Sequence, residues 1–453
     1  MEFYTIPVED NRYILYRPLL RKAFLGNAAM VRLVEALLDD PDEYDIEVPG
    51  EVKTFLDDLG FLHADPPAPG HMGRDFHPTT AVLLLTNRCN LRCTYCYADA
   101  GVMPAADLST DLAYSVIDRV VANAQTQGAP HFEVSFHGGG EPMQAWQVIK
   151  AATAYARRQD IPSRITLVSN GVWSRQQREW ALANLDGVTI SIDGGPATQD
   201  QQRPLPNGAG SYKYVLTTLQ ALDEAEFNYG IRMTATAPWR ERFPADVQYL
   251  CEATRCRLFQ VEPAFNVNRG EHQEAQQDEA QAFVDGFIAA FDIARSAGRE
   301  LLFSGARLGL VTRTFCSAPY NALIVNAAGQ LVTCYEIASD SHALAEISTI
   351  GEVTDSGIAI NQPARDYLLD FVEDKQAHLC QECFAKWHCA GDCYTRSSFV
   401  EDDGLRVSTS RCFINQEITA QLLLWNIMRG GGVWNGQTAE NHFQPMPTSV
   451  VLG

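Results

Sequence analysis

A chain of 453 residues, 46% of them hydrophobic, has material for two or three domains with packed cores, in the composition range of globular proteins. Its formal net charge of −21 excludes the basic surface that non-specific nucleic-acid binding needs. No apolar run approaches the roughly 20 residues that cross a bilayer, and Met1-Glu2-Phe3-Tyr4 lacks the basic-then-apolar order of a signal peptide. A cytoplasmic protein is therefore expected, with neither nucleic acid nor membrane among its partners. Twelve cysteines in that setting point to metal or redox work rather than to disulfides.

Residues 1–75 read as a small unit followed by a linker. Arg12-Tyr13-Ile14-Leu15-Tyr16 has the aromatic and branched composition of a strand. Asn27 is placed to cap a helix in which Val31, Leu33, Val34, Leu37 and Leu38 recur at helical spacing. A second helix, Val52 to Leu59, closes at Gly60. Between His63 and Asp75 lie three prolines and two glycines, the linker.

The apolar run Ala81-Val82-Leu83-Leu84-Leu85 predicts a buried strand, and Cys89, Cys93 and Cys96 then sit on the loop at its carboxyl end. Thiolates are the usual protein ligands of iron–sulfur clusters, and three of them leave one iron of a four-iron cube open. The alternative is a zinc knuckle or three incidental thiols, although zinc sites normally show paired C-x2-C units or histidines. The C-x3-C-x2-C spacing resembles the signature of the radical SAM enzymes, in which S-adenosylmethionine occupies the open iron.

Residues 76–300 alternate short apolar runs with helical ones. The predicted strands are Ala81–Thr86, Phe132–Phe136, Ile165–Ser169, Val188–Ile192, Ile231–Thr236 and Leu258–Val261, with helices such as Asp111–Ala124 and Tyr212–Ala225 between them. Such alternation implies an α/β fold with a parallel sheet, ligands at the carboxyl ends of its strands; the family resemblance implies a partial (β/α)6, TIM-like barrel. The second strand runs into His137-Gly138-Gly139-Gly140-Glu141-Pro142, which resembles the family's G-G-E-P element that holds the SAM amino group; the Glu-Pro register assigns Gly139, Gly140 and Glu141. The third ends at Ser169-Asn170-Gly171 and the fourth at Ser191-Ile192-Asp193-Gly194, short polar groups able to hydrogen-bond a ribose or carboxylate, or to serve only as turn residues. Where the family has H-D-x-x-R this chain has Gln199-Asp200-Gln201-Gln202-Arg203, so the histidine is replaced; the resemblance implies Arg203 at the SAM carboxylate and Tyr95 against the adenine. Cys251 and Cys256 have no third partner nearby and read as structural thiols.

Residues 301–430 hold seven cysteines. Cys316 is followed by twelve residues, Gly329, four residues and Cys334; then come Cys380-x2-Cys383-x5-Cys389-x3-Cys393 and, after a gap of eighteen residues, Cys412. This pattern resembles the SPASM extension of radical SAM enzymes, with two zinc sites as the alternative. The resemblance implies two auxiliary [4Fe-4S] clusters, one on Cys316, Cys334 and Cys393, one ligand short, and one on Cys380, Cys383, Cys389 and Cys412. With the SAM-binding cluster that makes three. In the sulfatase-maturing branch an aspartate follows the cysteine at the place of Cys334; here Tyr335 stands there, and Tyr335 or Glu336 is the candidate base. Ile414 to Met428 predicts a closing helix and residues 431–453 a loose tail.

Taken together, the resemblance implies an enzyme that cleaves SAM reductively to a 5′-deoxyadenosyl radical and modifies a ribosomally made precursor peptide, first choice a carbon–carbon or thioether cross-link. It implies an electron donor such as flavodoxin or ferredoxin. Sulfatase maturation, oxidation of a small molecule, and a non-catalytic metal scaffold are the other readings. The strand–helix–helix order of residues 1–62 resembles the winged-helix elements of peptide-modifying members, which bind a leader by adding it to a sheet edge; a structural cap is the alternative.

Overall fold

The computed structural model describes residues 1–39, 48–102, 104–265, 269, 275–354, 357–397 and 409–436. Its first sheet is antiparallel, β1 (Tyr4–Val8), β2 (Arg12–Arg17) and β3 (Lys22–Asn27). Two helices follow, Ala28–Asp39 and Gly50–Leu59. Asn27 caps the first, accepting from Met30 N at 3.0 Å, and Gly60 closes the second at φ 60°, a left-handed turn that suits glycine. Only β2 was expected. Pro7 in β1 and Gly26 in β3 mask both strands in the local pattern.

Among the described residues the main sheet has eleven strands. β4 (Thr80–Leu84), β5 (Phe132–His137), β6 (Ser163–Ser169), β7 (Gly187–Ser191), β8 (Tyr229–Ala235) and β9 (Leu258–Pro263) are the six expected strands, parallel and adjacent in chain order. A seventh parallel strand, β10 (Glu300–Phe303), extends that side; at four residues it is too short to stand out in the sequence. On the other side β11 (Ala322–Val325) pairs parallel with β4. The antiparallel strands β12 (Gln330–Val332), β13 (Thr349–Thr354) and β14 (Gly357–Ile360) complete the sheet. Four strands of the cysteine-rich segment thus continue the central sheet.

Helices Thr110–Gln127, Trp146–Ala156, Arg175–Asn184 and Tyr212–Glu224 connect successive parallel strands. Val116, Ile117, Val120 and Val121 of the first pack with Leu83, Val134 and Phe136 in one continuous core. The expected closing helix spans Ser410–Arg429, and Cys412 lies in its first turn. After it, Val433–Trp434 form β15, which pairs antiparallel with β3. Residues 433–434, expected within a loose tail, therefore complete the first sheet; residues 437–453 lie outside the described residues.

The first sheet is docked. Arg17, fully buried, donates to Phe61 O at 2.7 Å and to Asp65 at 2.8 Å. Glu2 takes Trp387 Nε1 at 2.5 Å and Lys386 at 2.8 Å. His388 has its Nδ1 on Leu310 O at 2.7 Å, so that nitrogen carries the proton and Nε2 accepts from Tyr16 Oη. Burial holds this ring neutral, its pKa down at about 4. The linker is pinned as well: Arg74 pairs with Glu373 at 2.7 Å, and Arg365 donates to Arg74 O at 2.5 Å.

Candidate active site and cysteine sets

The loop carrying Cys89, Cys93 and Cys96 leaves β4 and is braced from three directions. Arg92 folds back on Cys89 O at 2.9 Å and reaches Gly101 O at 2.8 Å. Its amide donates to Pro204 O at 2.7 Å, and Thr94 N to Gln202 O at 2.9 Å. Arg269 clamps the far side, donating to Cys93 O at 2.7 Å, Ala100 O at 2.8 Å and Asp99 at 2.7 Å. Three thiols on one short loop are thereby given fixed backbone positions.

The glycine run after β5 is nested against that loop. Gly140 N donates to Thr86 O and Glu141 N to Arg88 O, each at 2.8 Å. A Cβ on Gly140 would come within 2.2 Å of Arg88 O, and one on Gly138 within 2.0 Å of Gly140 O. Glycine is required here by backbone meeting backbone, ahead of any ligand. The Glu141 carboxylate is buried and spent internally. It accepts from Ser169 Oγ at 2.7 Å, Asn170 N at 2.8 Å and Met143 N at 3.1 Å, joining the ends of β5 and β6.

Beyond β7, Asp193 accepts both Nε (2.9 Å) and Nη2 (3.0 Å) of Arg203, and Thr234 N at 2.9 Å. Tyr95 Oη also donates to it, with the Arg203 guanidinium 5.4 Å from the Tyr95 ring centre. Arg203 is thus already neutralised, and a ligand carboxylate would share it with Asp193. Asn170 Nδ2 lies 3.9 Å from Cys89 Sγ. Cys93, Tyr95, Cys96, Gly139, Gly140, Glu141, Ser169, Asn170, Ser191 and Arg203 all line one cavity of about 470 Å³, as does Cys89; Asp193 stands behind it.

The same cavity is also lined by Cys316, Cys334 and Cys393. Thr395 Oγ1 lies 3.0 Å from Cys393 Sγ and 3.8 Å from Cys334 Sγ. Glu336 N donates to Cys334 Sγ at 3.5 Å. The Glu336 carboxylate accepts from Arg396 Nε at 2.8 Å and Thr395 Oγ1 at 3.1 Å, and Arg396 also reaches Glu262 at 3.2 Å. Glu336 is therefore a member of a buried ion-pair network. Burial pushes the Tyr335 phenol far above the neutral range, so it stays protonated and is no base at ordinary pH.

Sequence reasoning missed His137. It ends β5, is buried, and lies over Tyr335 with ring centres 5.0 Å apart. Burial and the nearby Arg232 hold its pKa down at about 3, a neutral imidazole on the cavity wall. The signal was a polar ring placed directly before the glycine run, which a lone histidine does not announce.

The remaining four cysteines, Cys380, Cys383, Cys389 and Cys412, line a second, smaller void of about 50 Å³. Among the described residues its lining holds no carboxylate and no histidine, and four thiols are a donor set of the kind that holds iron–sulfur clusters. Burial pushes the thiols of Cys89 and Cys380 up to about 12 and those of Cys93 and Cys316 to about 11. A metal is then needed to draw out the thiolates. Among the described residues no three His, Cys, Asp or Glu side chains are gathered as around a single ion; a four-iron cube holds its thiolates further apart than one zinc does. Cys251 and Cys256 lie apart from both voids, Cys256 buried with its Sγ 3.2 Å from Leu258 O. Among the described residues no helix is long and apolar enough to cross a membrane.

Residues 83–236 match the model of the Radical SAM superfamily. The sporulation killing factor maturation protein SkfB of Bacillus subtilis is 24% identical over 272 residues, 57% of this chain and 60% of that protein. The match to SkfB thus falls short of two thirds of its length. The serine-type anaerobic sulfatase-maturating enzyme of Klebsiella aerogenes is 22% identical over 326 residues, 67% of this chain and 76% of that enzyme. Among solved structures, native anSMEcpe with bound AdoMet superposes with a TM-score of 0.63 at 16% identity, covering 78% of this chain and 99% of that one. The likeness establishes the fold as the partial barrel of that structure.

Proposed function

We propose that this chain, whose residues 83–236 belong to the radical SAM superfamily, is an enzyme that modifies a precursor peptide. The superfamily implies S-adenosylmethionine and one [4Fe-4S] cluster. Reduced by one electron, that pair supplies a carbon radical able to remove hydrogen from a substrate. In this reading Cys89, Cys93 and Cys96 hold the cluster. Gly139, Gly140 and Glu141 form the rim for the SAM amino group, Ser169, Asn170 and Ser191 give polar contacts, and Tyr95 backs the adenine. Asp193 fixes Arg203, which offers what remains of its fork to the carboxylate.

One observation carries the reading: Cys89, Cys93 and Cys96 line the same cavity of about 470 Å³ as Cys316, Cys334 and Cys393. That size lies within the range of small-molecule sites. A substrate residue in that cavity would have both SAM and a first auxiliary cluster within the same enclosure. The second auxiliary cluster belongs to Cys380, Cys383, Cys389 and Cys412. The SPASM-type pattern and the likeness to a maturation protein support a peptide substrate, as does the fold shared with anSMEcpe, which binds AdoMet and the Cp18Cys peptide. A side-chain cross-link, carbon–carbon or thioether, is the proposed product. The electron donor is a flavodoxin or ferredoxin, and the location is cytoplasmic.

The likeness to a sulfatase-maturating enzyme favours a second reading, but the protonated Tyr335 beside Cys334 counts against it. The test supplies reconstituted enzyme, SAM and dithionite with the products of small open reading frames beside its gene. Loss of two hydrogens from one of them, read by mass, is the expected result. Modification of a sulfatase active-site peptide alone would overturn the proposal.

A further inference from the structure

The SAM reading draws on the carboxyl ends of β4 to β7 and on the segment carrying Arg203. The next strands line the same cavity. Arg232 and Thr234 of β8, Gln260 and Glu262 of β9, and Ser304, the residue after β10, all border it. Side chains alternate along a strand, so residues two apart share a face. The register sets Thr234 beside Glu262. It also sets Phe303 beside Val261, which brings Ser304 next to Glu262, one residue further along each strand. Glu262 is 6% exposed and only half used. Its Oε2 takes Arg396 Nη1 at 3.2 Å and Arg411 Nη1 and Nη2 at 3.3 and 3.4 Å. Two guanidiniums thus answer the charge. Oε1 is buried and, among the described residues, has no hydrogen-bond partner, and the same holds for Ser304 Oγ. Buried polar atoms left unpaired are costly. Next to one another on a cavity, they are binding capacity held for a ligand.

We propose that Glu262 and Ser304 form a substrate subsite of this cavity that takes a primary carboxamide, the side chain of an asparagine or glutamine in the precursor peptide. This deepens the peptide reading and rests on it. An ionised carboxylate only accepts. With its charge already met by Arg396 and Arg411, Oε1 calls for a neutral N–H rather than for a further cation. A hydroxyl can donate, so Ser304 Oγ gives its proton to the carbonyl of the same amide. A primary carboxamide offers N–H and C=O side by side on one edge, whereas a trans backbone peptide points them apart. A leucine of similar size would leave both protein atoms unpaired, the situation in which a polar site discriminates most strongly.

The test is deuterium transfer. Full-length, reconstituted enzyme with SAM and dithionite is given acetyl-Gly-Asn-Gly-methylamide or acetyl-Gly-Leu-Gly-methylamide, the middle residue deuterated on carbon. A C–D bond breaks and the deuterium passes to the 5′ carbon of deoxyadenosine, where mass reads it. The parent should take deuterium from the asparagine peptide about tenfold faster, or more, than from the leucine peptide. In Ser304→Ala and in Glu262→Ala that ratio should fall towards one. A merely structural loss lowers both rates alike and leaves the ratio where it was. An unmoved ratio in the variants, or a ratio near one in the parent, overturns the subsite; should Glu262→Ala not load its clusters, Ser304→Ala decides. Deoxyadenosine that carries no deuterium from the asparagine peptide also overturns the subsite and leaves the radical reading standing. No deoxyadenosine from the loaded parent ends that reading, and the subsite with it.

Discussion

Arg203 and Asp193 form a two-point ion pair, Nε at 2.9 Å and Nη2 at 3.0 Å, with the Asp193 side chain fully buried and that of Arg203 only 10% exposed. The pair joins the segment after β7 to the cysteine loop through Tyr95, and to β8 through Thr234 N. Removing one partner leaves the other charge buried and unpaired, at a cost of about 3–5 kcal/mol. Asp193→Ala should therefore lower unfolding stability by about that amount in urea titrations, and weaken SAM binding as well. A loss under about 1 kcal/mol would mean that Arg203 reaches solvent or another anion in solution.

Cysteine content predicts metal content. Anaerobically reconstituted protein should hold about twelve irons with matching sulfide if three cubes form. Cys380→Ala/Cys383→Ala should lose about four and keep the rest. Zinc in place of iron would return the cysteine-rich half to the two-zinc alternative.

Asp246 gives a pH signature away from the cysteines. It accepts from Gly195 N at 3.0 Å and Thr198 Oγ1 at 2.8 Å, holding the turn after β7. Burial nonetheless raises its pKa from 3.8 to about 6. A carboxyl group raised on folding binds more protons in the folded state between those values, so its contribution to stability falls as pH rises through that window. Asp246→Asn, which mimics the neutral form, should gain in Tm relative to the parent from about pH 4 to pH 6 and then level off. A difference independent of pH would contradict the buried-carboxyl account.

Residues 1–62 should not be removable without structural loss. Their removal would strip Tyr16 from His388 and Trp434, Glu2 from Trp387 and Lys386, and the partner strand from β15. A chain beginning at residue 63 should be less soluble and lose iron first from the four-cysteine set, two of whose members, Cys383 and Cys389, flank Lys386 and His388 in the chain. A soluble, fully loaded truncation would instead favour a detachable recognition unit. Leader addition to the first sheet then falls to its β1 edge, since β15 covers β3.

The six central strands and three cysteine sets were legible because each depends on local pattern: a branched apolar run, or a spacing of thiols. Pairings that join distant residues were not. Nothing in Val433–Trp434 says that they meet Phe24 and Ala23, and nothing near Ser317 says that β11 extends the barrel sheet beside β4. At the site, the geometry gives several of the expected residues structural work that the sequence does not show. Glu141 and Ser169 tie two strand ends together, Glu336 belongs to Arg396 and Thr395, and the glycines make room for backbone. His137 left no pattern to read, because one histidine before a glycine run has no period and no partner in sequence.

The central claim is tested most directly by 5′-deoxyadenosine production. Reconstituted parent protein with SAM and dithionite should form it, and Cys89→Ala/Cys93→Ala/Cys96→Ala, folded and holding iron at the other two sets, should form none. Cys380→Ala/Cys383→Ala should still form some while yielding no modified peptide. Deoxyadenosine from the variant lacking Cys89, Cys93 and Cys96, at the parent's rate, would contradict the assignment of those three cysteines to the SAM-binding cluster and the account built on it.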